Sequence, residues 1–365
     1  MPSRRHPRAR PRSVREVTTG CRRRFLCRSC RVHTTALRQG CTTPGCPRHE
    51  QTHTKGRLPS AGGSGRKVMS YRLLFRQLAL ELSYRTVRHW FGTRTVIRDV
   101  QGVSLAMPWY HRLPDYARLF PTYGQNLIDL AVGLAETDKP LGVIDVGANI
   151  GDSARQLLAK VDARILCIEG DPEYLPYLER NVGSDDRCVI EFGLLLTDAA
   201  KASGLGAVRK GGDTRFAQGG TGGAAAALTV ADLRNRHPEL PPIRLVKSDT
   251  EGYDTILVPA LARAYADTRP LLFFEYYPEL IRMAGVPDPT VVWGELQTAG
   301  YSYVGIWDNF GRPVQALPID EVPATAAVLD RRYAERGYHY WDVAVVHADD
   351  RAGRAVLDRL FAFAR

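Results

Sequence analysis

From Gly142 onward the chain alternates short apolar runs with stretches of helical periodicity, and this alternation narrows the choice of fold more than any other feature. Runs of Val, Ile and Leu without polar interruption suit strands buried on both faces, and helices between them suit the crossovers of a parallel sheet. Strands are expected at Gly142–Val146, Arg164–Glu169, Cys188–Leu194, Ile243–Ser248, Leu271–Glu275, Tyr301–Ile306 and Trp341–His347. Helices are expected from Asp152 and at Pro172–Asn181, Val230–Arg236, Tyr253–Tyr265 and Pro289–Ala299. The fold class is therefore α/β: a seven-stranded, mostly parallel sheet with helices on both faces, its last two strands joined as an antiparallel pair. The Gly-rich stretch Ser203–Ala227, with Arg209, Lys210 and Arg215, reads as a mobile loop over an acceptor site or as a tolerated insertion.

Charge divides the chain before chemistry does. Residues 1–68 hold 17 Lys and Arg against two acids, Glu16 and Glu50, a net of +15 that leaves −4 on the remaining 297 residues. Five of the seven cysteines, Cys21, Cys27, Cys30, Cys41 and Cys46, share that leader. Cys27-x2-Cys30 and Cys41-x4-Cys46, with Cys21, His33, His49 and His53 as substitutes, would supply a zinc knuckle. A basic tail touching nucleic acid or phospholipid is a second reading. The expectation adopted is plainer, a disordered extension or a start codon assigned too early, because the leader has no apolar periodicity to offset its ordering entropy. Residues 69–141 read as an N-terminal helical and cap region, opening with Leu74, Leu78 and Leu82 at helical spacing. Residues 142–348 read as the main domain and 349–365 as a C-terminal helix. Cys167 and Cys188 lie in apolar runs as small buried thiols, which suits a reducing cytosol. No apolar run is long enough to cross a membrane as a helix, and the leader lacks the core of a secretory signal.

Three constellations carry chemistry. In the first, the turn Asp145-Val-Gly147-Ala148-Asn149-Ile-Gly151-Asp152 follows a strand and opens a helix, where small residues let backbone N–H groups approach a ligand. Asn149 and Asp152 occupy the second and third glycine positions of the dinucleotide fingerprint, which disfavours NAD. The acid-rimmed turn instead fits the D-x-G-x-x-x-G loop that wraps the methionine part of S-adenosylmethionine, a ligand with an ammonium and a sulfonium and no phosphate. The second is Glu169, which ends the next strand about twenty residues on, where a ribose diol is gripped in nucleoside-binding α/β folds. Asp171, two residues further, either lines the same crevice or only caps the helix after Pro172. The third is Lys247-Ser248-Asp249-Thr250-Glu251-Gly252-Tyr253-Asp254, at the end of a central strand. Asp249 and Glu251 are candidates for general base, ligands of a divalent metal, or acceptors for a substrate hydroxyl, with Lys247 holding them ionised. Glu251 and Asp254 would also simply favour a helix N-terminus. Glu275 ends the neighbouring strand and is expected to point towards Asp249.

These residues, with Arg269-Pro270 before the Glu275 strand, resemble the FkbM family of S-adenosylmethionine-dependent methyltransferases in order and separation from Val143 to Glu275. The Lys-x-Asp-x-Glu-Gly run is the most specific part. The resemblance implies a class I methyltransferase (Rossmann-like) fold and methyl transfer to a hydroxyl, often on a sugar, polyketide or other secondary metabolite. Ser248 and Thr250 stand where that run is usually apolar, and Asp254 where glutamate is usual.

The expected partner is a small-molecule or glycan hydroxyl acceptor. Site expectations are Asp145, Gly147, Ala148, Asn149, Gly151, Glu169 and Asp171 for S-adenosylmethionine, and Lys247, Asp249, Glu251 and Glu275 for catalysis. His339 and His347 are lesser alternatives for the base. Two other functions remain open: a non-catalytic adenosyl-binding protein, which would not need Asp249, Glu251 and Glu275 together, and a nucleic-acid methyltransferase using the basic leader. No Asn/Asp-Pro-Pro-Tyr run supports the latter, the core is acidic, and no nucleic acid is expected to bind it.

Overall fold

The computed structural model describes residues 94–198, 204–210, 212–220, 226–327 and 340–362. The chain divides into two units, Met1–Lys67 and Val68–Arg365, and every described residue belongs to the second. The zinc-knuckle candidates Cys21, Cys27, Cys30, Cys41, Cys46, His33, His49 and His53, the helix expected after Met69, and His339 lie outside the described residues.

In chain order the strands are β1 (Thr95–Val100), β2 (Val103–Pro108), β3 (Leu141–Val146), β4 (Ala163–Glu169), β5 (Cys188–Phe192), β6 (Leu194–Leu196) and β7 (Leu205–Lys210). They continue with β8 (Asp213–Gln218), β9 (Ala227–Thr229), β10 (Ile243–Ser248), β11 (Leu271–Tyr276), β12 (Tyr301–Asp308), β13 (Pro313–Pro318) and β14 (Trp341–His347). Among the described residues, eight form one sheet in the order β13-β12-β14-β11-β10-β3-β4-β5. The run from β11 through β5 is parallel, while β14 is antiparallel to both β11 and β12. The expected Rossmann-like α/β fold, a mostly parallel sheet with helices on both faces, is thus present with one strand more than the seven expected.

The sequence dictates this arrangement through alternation within strands that are covered on both sides. In β3, Val143 packs into one apolar layer while Ile144 and Val146 enter the other. In β4, Ile165 and Cys167 face the first layer, and Leu166 and Ile168 the second. Each fully buried side chain of this kind contributes roughly 1.5–3 kcal/mol, so a one-residue slip of register would be prohibitive. The helix Gln125–Leu134 covers one face together with the C-terminal helix Arg351–Leu360, and they meet where Gly133 leaves room for Val356: a Cβ there would lie 2.6 Å from Val356 Cγ1. The helix Asp254–Ala264 covers the other face. The β1–β2 hairpin builds a smaller cluster of its own with Leu105, Met107, Ile150 and Tyr174. Asn181 ties that hairpin to the end of the glycine turn, accepting from Ala106 N at 2.7 Å and donating to the carbonyls of Ala106 (2.9 Å) and Ile150 (2.7 Å).

Three expectations need correction. The eighth strand, β13, is a sheet edge bounded by Pro313 and Pro318, and an edge tolerates prolines that argue against a strand when read in isolation. The strand expected at Cys188–Leu194 breaks at Gly193: residues 188–192 stay in the main sheet, while β6 leaves it to pair with β9 in parallel. The Gly-rich stretch Ser203–Ala227 is not simply a loop, since β7 and β8 within it pair antiparallel from Leu205–Gln218 to Lys210–Asp213.

Candidate active site

The strand order reverses between β3 and β10: from β3 the chain builds outward through β4 and β5, and from β10 through β11. Ligands of open α/β sheets bind outside the carboxyl ends of the strands at such a switch point. Asp145, Glu169, Lys247 and Glu275 lie at those ends and Gly147, Ala148, Asn149, Gly151, Asp171, Asp249 and Glu251 just beyond them, whereas Arg269-Pro270 precedes β11 at the opposite edge.

The turn after β3 is built by close approach. Gly147 has φ +74°, and a Cβ there would lie 2.0 Å from the carbonyl oxygen of Asp249, so only glycine lets this turn press against the end of β10. The amides of Gly147 and Ala148 both donate to Ile168 O at 3.0 Å, and Ala148 is buried. Asn149 holds a left-handed φ of +50°, a conformation asparagine tolerates better than most residues. Its amide donates to Glu169 Oε2 at 2.7 Å and its side-chain Nδ2 to Gly212 O at 2.9 Å, while Oδ1 lies 3.3 Å from His111 Nε2. Burial pushes His111 down to about 4, which keeps it neutral. Gly151 begins the helix Asp152–Leu158 at φ +81°.

Glu169 and Asp171 do different work. Glu169 is buried and accepts from the amides of Asn149 and Asp171, the latter at 2.6 Å. Burial raises its carboxyl to about 7 against the opposing pull of those two donors. Asp171 is fully buried and already occupied, accepting from Glu173 N (2.8 Å), Arg209 Nε (2.6 Å) and Thr214 Oγ1 (2.5 Å). It caps its own turn and clasps the β7–β8 hairpin against the crevice. Phe216 of that hairpin packs over Gly170, where a Cβ would stand 3.3 Å from the ring.

Asp145 and Lys247 face each other directly across the β3–β10 ladder, with Nζ 2.9 Å from Oδ1. Lys247 also donates to Gly147 O at 3.0 Å and stands 3.9 Å from Asp249. Burial opposes its charge, but Asp145 and Asp249 more than compensate and raise its pKa. Lys247 is therefore a positioning residue that fastens the glycine turn to β10 and is ion-paired with Asp145 inside the sheet. The three departures from the family run form one unit. Asp254, fully buried, accepts from Ser248 Oγ (2.6 Å), Thr250 Oγ1 (2.9 Å), Thr250 N (3.0 Å) and Gly252 N (3.2 Å). That hub folds the segment carrying Asp249 and Glu251. Glu251 takes a left-handed φ of +54°, and burial, then the neighbouring Asp213 and Asp249, push it up to about 8.

Two cavities flank this segment. The first, about 790 Å³, runs from Gly147 and Asn149 past Glu169 to Leu194, Leu195 and Leu196, and is closed by Phe216, Tyr253 and Leu257. The second, about 720 Å³, is lined by Asp152, Lys247, Glu275 and Asp342 with Asn126, Tyr123 and Tyr340. Asp249 borders both, while Glu251 borders the first alone of these two. The leucines of β6, Phe216, Asp152 and Asp342 were not singled out from the sequence. Asp342 is the one with a legible signal, a lone acid in the apolar run Trp341–His347. His347 sits at the opposite sheet edge, 5.4 Å ring to ring from Tyr301. Among the described residues no three His, Cys, Asp or Glu side chains converge as a metal would require, so the divalent ion weighed for Asp249 and Glu251 has no donor set there.

No family model matches the chain, and no curated protein matches it. Among solved structures it is similar to the precorrin-6y C5,15-methyltransferase of Geobacter metallireducens GS-15, at 10% identity and a TM-score of 0.30 over 60% of this chain and 86% of that one. It is similar to cofactor-bound Rv0187 from MTB at 13% identity and TM-score 0.33, over 76% and 95% of the two chains. A TehB-like SAM-dependent methyltransferase from Corynebacterium glutamicum aligns at 13% identity and TM-score 0.32, over 64% and 96%. These likenesses are distant, and any reading of activity rests on the cleft itself.

Proposed function

We propose that this chain is an S-adenosylmethionine-dependent methyltransferase acting on a hydroxyl of a small metabolite, sugar or glycan. The observation that carries the reading is one crevice at the switch point, with a cavity on each side of the segment after β10, leucines and Phe216 beside Glu169 in the first, and Asp249 bordering both. The residues fit the cofactor. Each oxygen of Glu169 accepts one backbone amide and retains acceptor capacity, and the residue lines the first cavity, so it could take two ribose hydroxyl hydrogens. Leu195, Leu196, Phe216 and Leu257 offer apolar faces for a flat base. When bound, the cofactor supplies a methyl group that is already activated.

The protein's own task is then to align the acceptor oxygen and take its proton. Asp249 is the candidate base, because its side chain is 52% exposed where the two cavities meet. Glu251 is the runner-up, on the cofactor side beside Asp213. Lys247 and Asp145 hold the turn, and Glu275 belongs to the acceptor side. A net charge of −4 outside the leader favours a small acceptor over a polyanion. Cys167 and Cys188 are free thiols, which supports the reducing cytosol as the compartment, and no described helix is long and apolar enough to cross a membrane.

The test is methyl transfer from labelled S-adenosylmethionine to a panel of hydroxylated acceptors. Asp249→Asn should abolish transfer while leaving affinity for S-adenosylhomocysteine within a few-fold of the parent. Normal turnover in that variant would remove Asp249 from its role.

A further inference from the structure

His111 is a buried titratable group that the proposed chemistry does not use. It follows β2, just before the helix Leu113–Leu119, and its ring stands edge-on to that of the fully buried Tyr174, 6.1 Å between centroids. The partners of its two nitrogens give it a direction. Nδ1 accepts from the amide of Leu113 at 3.3 Å, so the proton of the neutral ring resides on Nε2. Nε2 then donates to Asn149 Oδ1, 3.3 Å away.

Asn149 is where this matters. Its backbone amide donates to Glu169 Oε2 and its side-chain Nδ2 to Gly212 O, at the turn of the β7–β8 hairpin. The other oxygen of Glu169 accepts from the amide of Asp171, whose carboxylate in turn holds Arg209 and Thr214, an opposed pair of the same hairpin. The two residues that donate to Glu169 are therefore the two that anchor the hairpin. Asp213, Thr214 and Phe216 of that hairpin line the cavity beside Glu169. The two anchors differ in one respect. A carboxylate presents acceptors whichever way it turns, whereas a side-chain amide turned by 180° would set its oxygen against the Gly212 carbonyl. The Nε2–H of His111 fixes which end of the Asn149 amide faces the hairpin. The junction is also close: Gly212 has φ +119°, and a Cβ there would lie 3.2 Å from His111 Nε2.

We propose that His111 is a positioning residue of the cofactor site, setting the Asn149 side-chain amide in the orientation that holds the β7–β8 hairpin over the cavity beside Glu169. It acts through Asn149 and does not itself line that cavity. The inference goes beyond the methyltransferase reading and rests on it for the identity of the ligand.

The experiment follows release of S-adenosylhomocysteine from the full chain by surface plasmon resonance. His111→Leu should release it about tenfold faster than the parent, and amide hydrogen exchange in β7 and β8 should quicken. His111→Gln should stay within about threefold of the parent, because a glutamine side-chain amide can supply the lost N–H donor. A space-filling role predicts the opposite order, since leucine fills an enclosure beside Leu113 and Tyr174 better than glutamine does. Should the leucine variant fail to fold, His111→Asn, polar but one methylene shorter than glutamine, takes its place with the same expected release. A parent rate in the leucine or asparagine variant, or equal rates in the glutamine and leucine variants, would overturn the proposal and leave the cofactor reading standing. A parent chain that does not bind S-adenosylhomocysteine would take down the cofactor reading and this inference with it.

Discussion

Two pairs of carboxylates near Asp249, Glu169 with Asp171 and Glu275 with Asp342, are held in different ways. Glu169 receives two backbone amides, and nearby Asp171 receives a guanidinium, a hydroxyl and an amide, so each acid is held by donors fixed in the fold. On the other side, Glu275 faces Asp342 with a single amide donor between them. Donors built into the chain make a site rigid before its ligand arrives, whereas missing donors must come from the ligand. On the proposed reading, the donor-held Glu169 serves the group every turnover shares, and the second cavity serves the acceptor.

That contrast can be broken where it is strongest. Lys247→Met would leave Asp145 as an uncompensated buried charge and release the glycine turn. A loss of about 3–5 kcal/mol is expected, read as a melting temperature lower by roughly 10 °C. An unchanged melting temperature would mean that the pair is not what fastens β3 to β10. Next in size is pH. Burial raises Asp152 to about 6, Glu169 and Asp342 to about 7, and Glu251 to about 8. Folded-state values above the unfolded ones mean stability that is fully present below about pH 4 and is lost as pH rises through the folded values. The ligand-free protein should therefore melt at a lower temperature at about pH 8 than at about pH 5, and Asp342→Asn should flatten the slope. A melting temperature that rises over that window contradicts uncompensated acids.

A smaller effect should follow from the hub beneath Asp249. Asp254→Asn keeps the shape but weakens bonds from Ser248, Thr250 and Gly252. Turnover should fall more than cofactor affinity, because the segment carrying Asp249 loosens while Glu169 stays in place. Restoration by Asp254→Glu would mark the acid, and not its length, as the requirement. The smallest effect belongs to Arg209→Ala, which frees the β7–β8 hairpin from Asp171. A few-fold weaker S-adenosylhomocysteine affinity is expected, measured by titration, from faster dissociation.

Much of this was legible in the sequence, for identifiable reasons. The strands of the central sheet announce themselves because burial on both faces demands uninterrupted apolar runs, as in Leu141–Val146 and Leu271–Tyr276. Their terminal acids fall at the site because β3, β4, β10 and β11 run parallel and end on the same edge. What escaped depends on partners distant in the chain. The β7–β8 hairpin has no apolar alternation strong enough to stand out, and it is clasped by Asp171, which local reading treats as a cap. β13 hides behind its prolines. Of the second cavity, Glu275 near Asp249 was legible, whereas Asp342 comes to its side only through the antiparallel pairing of β14 with β11. Lys247 looked like a partner for Asp249, and only the cross-strand register reveals that Asp145 has the closer claim.

If the crevice between β3 and β10 binds S-adenosylmethionine as proposed, Glu169 should carry much of the affinity. Isothermal titration of the full chain and of Glu169→Ala with S-adenosylhomocysteine tests it most directly. One-to-one binding by the parent is expected, with a loss of about 2–3 kcal/mol, roughly thirty- to 150-fold, in the variant. Equal affinity in the two proteins, or no binding by the parent, would contradict it.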